Sequence, residues 1–219
     1  MKVEIYSDIS CPWCYIGEKR FAAALASFAE ADVDVSFRPY QLDPAAPATA
    51  RPLTEALREK FGAGVQSMLD RVTGVARGEG IEMHWDRARA ANTITAHRLL
   101  RLALLENGPA VQRALAEKLF EAHFTNGGDV GDHGLLTELA TAVGMNADRV
   151  RRYLDSAEGL AETRAEIAQA QALGIRAVPT FIFDDEYVVE GGQPSAVFAD
   201  VLREVARLSA TRPEPTVPR

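Results

Sequence analysis

Alternating apolar and polar residues open the chain. Val3 and Ile5 alternate with polar neighbours up to residue 8, which is the period of a β-strand. Between residues 12 and 30 the apolar residues recur at i, i+4 and i+7 among many alanines, which predicts an amphipathic helix that starts at Pro12. Residues 33–37 again alternate between apolar and polar side chains, which predicts a second strand. The opening is therefore predicted to be strand, helix, strand.

The period changes to that of helices between residues 43 and 158. Glycines and turns divide this block, and strand-like segments are scarce. Asp132 and Asn146 are suitable N-caps for its last two helices. Six helices are predicted near Leu53–Lys60, Val65–Gly78, Arg87–Glu106, Ala110–Phe124, Gly134–Val143 and Ala147–Asp155. The block therefore has the pattern of an all-helical insertion.

Strand signals return near the end of the chain. After a helix that ends at Gly174, residues 178–183 and 187–190 have strand composition, with a turn at Asp184 and Asp185 between them. The buried face of a final helix is predicted to comprise Val197, Phe198, Val201, Leu202, Val205 and Leu208. We predict an α/β protein whose first core half, insertion, second core half and disordered tail occupy residues 1–42, 43–158, 159–209 and 210–219.

Composition and charge restrict the classes of partner. The chain has 219 residues, 47% of them hydrophobic, and a formal net charge of -7 with scattered Lys and Arg. Because no basic stripe is present to neutralise phosphates or anionic lipid, nucleic acid and membrane partners are not expected. The apolar start is interrupted by acids, which is unlike a signal peptide. A cytoplasmic location is therefore expected.

The two cysteines, Cys11 and Cys14, fall at the predicted strand-to-helix junction. Only a thiolate attacks a disulfide, and a helix N-terminus favours the thiolate form. Cys14 lies one turn into the helix, within reach of a mixed disulfide on Cys11. We predict that Cys11 is the nucleophile and Cys14 the resolving thiol. Because Trp13, between them, cannot supply a positive charge, the helix N-terminus and nearby backbone amides must stabilise the Cys11 thiolate.

Two other readings of the pair remain open. A zinc site needs about four ligands, and the four histidines show no ligand spacing, so no metal is expected. An inert buried pair would lie within an apolar run, whereas Pro12 and Trp13 separate these cysteines at a helix start.

Pro179, at the start of a predicted strand, is the second candidate feature. A proline here removes an N–H from the strand and leaves backbone groups of Val178 free to bind an extended partner. An ordinary strand-start proline gives the same pattern, because cis X-Pro bonds are only about 5% of cases. Both readings stay open on the residues alone.

Three motifs together resemble DsbA-like proteins, particularly the cytoplasmic FrnE-like branch. They are residues 10–17 (SCPWCYIG), 174–181 (GIRAVPTF) and 191–194 (GGQP). The resemblance covers nearly the whole chain and implies a thioredoxin fold interrupted by a helical insertion. It also implies a cis peptide before Pro179 and a substrate-binding surface formed by Pro12, Trp13, Val178 and Pro179.

Relatives of this branch include 2-hydroxychromene-2-carboxylate isomerases and kappa-class glutathione transferases. They carry serine at the position of Cys11 and activate glutathione, whereas this sequence keeps both cysteines. Asn92 and His97 also look like this branch, which makes them secondary site candidates. A packed histidine and a helix-capping asparagine are the competing interpretations.

The main functional hypothesis is disulfide exchange with protein or small-thiol substrates, without a cofactor. Glutathione could serve as co-substrate. The alternatives are a glutathione-dependent isomerase or transferase for a small aromatic compound, and a non-enzymatic, redox-switched chaperone that binds peptides. The apolar insertion could also supply a homodimer surface.

Overall fold

A mixed sheet of four strands forms the centre of the molecule. The computed structural model describes residues 1–211. Within that range the strands are β1 (Lys2–Ser7), β2 (Asp34–Pro39), β3 (Arg51–Pro52), β4 (Arg89–Ala90), β5 (Thr180–Phe183) and β6 (Tyr187–Glu190). The central sheet has the order β2-β1-β5-β6, with β1 parallel to β2 and the other neighbours antiparallel. This arrangement confirms the predicted α/β core.

Nine α-helices accompany the strands over the same residues. They are α1 (Pro12–Ala26), α2 (Leu53–Phe61), α3 (Val65–Gly78), α4 (Ile94–Asn107), α5 (Pro109–Phe124), α6 (His133–Ala142), α7 (Ala147–Leu154), α8 (Leu160–Ala172) and α9 (Ser195–Thr211). No helix of residues 1–211 is long and apolar enough to cross a membrane.

Aromatic rings join α1 and α9 to the sheet. Phe21 of α1 lies 5.4 Å from Phe181 of β5 and 5.5 Å from Phe198 of α9, measured between ring centroids. All three side chains are fully buried. Burial of such rings contributes about 2–3 kcal/mol each. This packing fixes the position of α1, whose first turn carries both cysteines.

The helical block differs from its prediction at the start of α4. The helix predicted from Arg87 begins at Ile94, because the preceding residues form β4, which pairs with β3. The block therefore contains a short ribbon and is not exclusively helical. The predicted N-caps are confirmed, since Asp132 and Asn146 accept hydrogen bonds from the third residue after each.

Two helix ends and the burial of one residue also differ from prediction. The first helix stops at Ala26 rather than near Glu30, where the Ser27 N–H and hydroxyl bond to the carbonyl of Ala24. Burial of Val197 is predicted, but the side chain is 38% exposed, because it lies on the solvent side of the first turn of α9, whose next residue, Phe198, is fully buried. Helix α9 continues to Thr211, so the first residues of the predicted tail are helical; residues 212–219 lie outside the described residues.

Candidate active site

Both cysteines lie at the start of α1, directly after β1. Cys11 is the extended N-cap residue, and Pro12 occupies the first helical position, where a missing N–H leaves no hydrogen bond unmade. The Cys11 carbonyl accepts a hydrogen bond from the Cys14 N–H at 3.0 Å. Both are free thiols, in hydrogen-bonding contact with each other, and 4% and 2% exposed. A single helical turn therefore brings the two sulfurs together.

The loop before β5 faces the Cys11 sulfur. Cys11 Sγ lies 3.6 Å from the carbonyl oxygen of Val178, to which the thiol donates. The Val178–Pro179 peptide bond is cis. β5 begins at Thr180 and not at Val178 as predicted, because Pro179 has no N–H for the strand ladder. Val178 and Pro179 thus stand opposite Cys11, outside the ladder.

Glycines hold α1 close to the Pro179 loop. A Cβ atom at Gly17 would lie 3.0 Å from Pro179 Cγ, and one at Gly192 would lie 3.1 Å from the carbonyl oxygen of Trp13. Only glycine allows this approach without displacing a neighbour. The Gly191 N–H donates to the Pro179 carbonyl at 2.8 Å. The hairpin end, the Pro179 loop and the cysteine-bearing helix therefore form one close-packed unit.

The Cys14 thiol lies beside the end of β1. Burial raises the pKa of this thiol well above its usual range, and the neighbouring Cys11 raises it further. The Ser7 hydroxyl and the Asp8 backbone N–H act in the opposite direction on the same pKa. The Ser7 hydroxyl itself makes no hydrogen bond of regular geometry to the protein. Cys14 is therefore a protonated, interior thiol at neutral pH.

Asp8 is a buried carboxylate with a full set of partners. Its Oδ2 accepts from the Leu42 N–H at 2.8 Å and from the Ser10 hydroxyl at 2.9 Å. Its Oδ1 lies 3.4 Å from Nε2 of His97. Burial alone would raise the Asp8 pKa, but the hydrogen bonds from His97, Leu42 and Ser10 outweigh it and lower the pKa. Asp8 consequently stays ionised and fixes the turn that precedes Cys11.

His123 of α5 is buried near the same carboxylate, with its ring edge-on to Phe124 at 4.5 Å between centroids. Neither ring nitrogen forms a hydrogen bond within the described part of the chain. Burial lowers the His123 pKa to about 4, although the charge of Asp8 acts to raise it. The imidazole is therefore uncharged at neutral pH.

Comparison with known proteins places this arrangement in a family. The sequence profile described as the DSBA-like thioredoxin domain matches residues 2–203. The chain belongs to the DsbA-like family. A probable DsbA oxidoreductase from Streptomyces coelicolor has 33% identity and a TM-score of 0.87, over 100% of this chain and 94% of that one.

Two further solved structures share the DsbA-like fold. A 2-hydroxychromene-2-carboxylate isomerase has a TM-score of 0.70 at 14% identity, covering 96% of this chain and 98% of that chain. The cytosolic disulfide reductase DsbM from Pseudomonas aeruginosa has a TM-score of 0.69 at 19% identity, covering 95% and 100%. At these identities the likeness concerns the fold alone.

The DsbA-like fold brings most of the predicted site residues together. The first turn of α1 and the facing loop hold Cys11, Pro12, Trp13, Cys14, Val178 and Pro179. His97 lies behind them, in contact with Asp8. Asn92 instead accepts from the Ile94 N–H at the start of α4 and donates to the carbonyls of Pro44 and Ala46. Its observed contacts are those of a capping and loop-tying residue.

The sequence reading overlooked the polar end of β1 in this DsbA-like chain. The alternating pattern predicts only that Ser7 and Asp8 end a strand, yet both are buried beside Cys14. The signal was present: two polar residues end a strand that runs directly into the cysteine motif.

Within residues 1–211, no group of three or more His, Cys, Asp or Glu side chains is arranged to hold a metal ion.

Proposed function

We propose that the protein is a thiol-disulfide oxidoreductase that exchanges disulfides with protein or small-thiol substrates. The observation that carries the proposal is the contact between the Cys11 sulfur and the Val178 carbonyl at 3.6 Å, with Cys14 one turn further along α1. A sulfur bound to Cys11 would lie beside the backbone of Val178, which stands outside the strand ladder. An extended peptide can pair with such backbone groups.

The reaction follows from the two positions. The Cys11 thiolate attacks one sulfur of a substrate disulfide, so that a mixed disulfide forms and the other substrate sulfur leaves as a thiolate. Cys14 then loses its proton and attacks Cys11, which releases the second substrate thiolate and leaves a Cys11–Cys14 disulfide. The substrate gains two electrons and the pair loses two. The reverse sequence oxidises a substrate dithiol.

We further propose that the pair acts in the cytoplasm, as a reductase or an isomerase. The DsbM structure is described as a cytosolic disulfide reductase, and a second DsbM structure is described with GSH. A cytosolic glutathione pool would keep a pair of moderate potential largely reduced. Glutathione is accordingly the proposed source of electrons.

Insulin reduction by dithiothreitol and repair of scrambled disulfides test the function. Wild type should accelerate both assays. Cys11→Ser should lose activity completely, while Cys14→Ser should lose turnover and accumulate a mixed disulfide that mass spectrometry detects. The reduction potential in glutathione buffers then assigns the direction. An inactive wild type would contradict the proposal.

The isomerase-like neighbour favours a second candidate function. A glutathione-dependent isomerase or transferase would use one activated thiol and would not need a resolving cysteine. Full activity of Cys14→Ser in a glutathione-coupled assay would therefore favour this candidate over disulfide exchange. Peptide binding that survives loss of both thiols would instead favour a redox-switched chaperone.

A further inference from the structure

The loop that leads into Pro179 carries an arginine without a partner. Arg176 lies two residues before Val178 and is exposed. Its guanidinium forms no hydrogen bond or ion pair with residues 1–211. The backbone N–H groups of Arg176, Ala177 and Val178 also find no acceptor in that part of the chain. The loop therefore presents a positive charge and hydrogen-bond donors that the described chain leaves unused.

The backbone of Arg176 is anchored on both sides. Before it, the Ile175 N–H donates to the Ala170 carbonyl at 3.1 Å, and the Ile175 side chain is buried. After it, the Thr180 hydroxyl donates to the Ala177 carbonyl at 2.8 Å. The position of the loop is thus set by the fold, and the arginine side chain is the part that can adjust to a ligand.

Arg176 lies within reach of a group bound to Cys11. The Val178 carbonyl oxygen is 3.6 Å from the Cys11 sulfur. Neighbouring Cα atoms are about 3.8 Å apart, so the Arg176 Cα lies at most about 7.6 Å from the Val178 Cα. The long arginine stem carries its charged end across such a separation. A substituent a few atoms away from a sulfur on Cys11 can therefore meet the guanidinium.

The charge of Arg176 is not compensated, in contrast to that of Arg20. Arg20 of α1 is tied to the same unit, but its Nε lies 2.6 Å from a Glu79 oxygen and its Nη1 donates to the Gly192 carbonyl at 2.6 Å. The net charge of -7 disfavours the approach of anions to the protein as a whole. An unpaired guanidinium beside the thiol opposes that repulsion where the reaction occurs, and its planar fork matches a carboxylate.

We propose that Arg176 binds a carboxylate of the substrate, so that the cysteine pair prefers small thiols and disulfides with a carboxylate near the sulfur. Glutathione disulfide belongs to this class. The inference rests on the proposed function and names a binding residue that sets its substrate preference. The Val178 backbone contact alone does not depend on substrate charge; Arg176 adds that dependence.

The exchange itself keeps its electron balance. The Cys11 thiolate bonds to one sulfur of the disulfide, and the other sulfur leaves as a thiolate with the electron pair of the broken bond. Arg176 holds the carboxylate during this attack and takes no part in the transfer of electrons or protons.

Two chromophoric disulfides of different charge test the preference. Ellman's reagent carries a carboxylate on each ring, whereas dithiodipyridine is uncharged at neutral pH, and both release a coloured product when Cys11 attacks. The measured quantity is the ratio of their second-order rate constants, Ellman's reagent over dithiodipyridine. Arg176→Ala should lower this ratio about fivefold, Arg176→Glu should lower it further, and Arg176→Lys should retain most of it. A general change in the Cys11 thiolate alters both rate constants and cancels in the ratio.

A matched control and salt separate a local contact from net charge. Arg164→Ala removes an exposed, unpaired arginine of α8 and changes the net charge equally, yet it should leave the ratio unchanged. At an ionic strength of about 1 M the Debye length is about 3 Å, so the drop caused by Arg176→Ala should shrink. Glutathione disulfide and its ethyl ester, compared by mass spectrometry of the remaining thiols, should show the same order of preference.

The possible outcomes distinguish this inference from the function on which it rests. Equal changes in the ratio for Arg176→Ala and Arg164→Ala would show that net charge sets the preference, and the inference would be wrong. An unchanged ratio in Arg176→Ala would also contradict it, while disulfide exchange would stand. If wild type releases no coloured product from either reagent, the disulfide-exchange function itself fails.

Discussion

The two cysteines of one helical turn face different surroundings. On the loop side, Cys11 meets Val178 and Pro179, where the contacts are backbone atoms and close glycine packing. On the interior side, Cys14 meets the end of β1, which carries Ser7 and Asp8, with His97 and His123 beyond them. The interior side holds three buried titratable groups, Asp8, His97 and His123, whereas Cys11 meets a backbone carbonyl on the loop side.

Under the proposed function, this difference would separate two tasks, substrate binding and proton transfer. Backbone groups recognise any extended chain, so the loop side suits binding without dependence on substrate side chains. Buried titratable groups control proton occupancy but reduce stability unless they are paired. Asp8 is paired on all sides and His123 is not, so the interior side should respond unevenly to pH and to substitution.

The largest expected effect comes from His123. Its pKa is about 4 in the folded chain against an ordinary 6.5, so the unfolded chain binds a proton first as pH falls. The free energy of unfolding therefore has its full value above about pH 6.5 and falls by roughly 3 kcal/mol as the pH drops to about 4. His123→Leu should abolish this part of the decline. Urea unfolding at about pH 7 and about pH 4.5 measures it.

His133 provides the control for that experiment. It is a histidine on an exposed part of α6, within 3.0 Å of an Asp155 oxygen. His133→Leu should leave the wild-type pH dependence nearly intact. Equal declines for wild type and His123→Leu would show that the buried imidazole does not set the acid sensitivity.

A smaller effect, about 1–3 kcal/mol, is expected for Asp8→Asn. An amide offers one acceptor oxygen where the carboxylate serves Leu42, Ser10 and His97, so at least one buried donor loses its partner. Because the folded pKa is lowered from 3.8, the contribution of Asp8 is complete above that pH and is lost as pH falls further.

Chemical denaturation at neutral and acid pH tests the Asp8 prediction. The difference between wild type and Asp8→Asn should narrow in acid. Asp86→Asn, at an exposed aspartate, serves as the control and should change stability by less than about 0.5 kcal/mol. A constant difference at every pH would rule out the carboxylate charge as the cause.

The smallest effect tests the loop side. Gly17→Ala would place Cβ 3.0 Å from the Pro179 ring and 3.2 Å from Gly192 Cα. We expect a loss of about 1 kcal/mol and slower insulin reduction. Gly74→Ala, where nothing lies within 4 Å, should instead stabilise α3 by up to about 1 kcal/mol. The same sign for both variants would refute the close-packing argument.

Most of the fold could be predicted because its signals are local. Caps at Asp132 and Asn146, and the hairpin turn at Asp184, depend on residues within one or two turns of each other. The start of α4 could not be predicted, since β4 forms only by pairing with a strand about forty residues earlier. The helix propensity of residues 87–93 by itself predicts that the helix starts earlier than it does.

The same distinction between local signals and long-range contacts applies to the candidate site. The sequence by itself determined that Cys11 and Cys14 share a helix start after a strand, because their spacing is one helical turn. Only the tertiary structure decided that the Val178 carbonyl lies 3.6 Å from the Cys11 sulfur and that Ser7 and Asp8 lie beside Cys14, with His123 buried near Asp8. These contacts join residues far apart in the chain, and their distances and burial arise from packing, which no local pattern encodes.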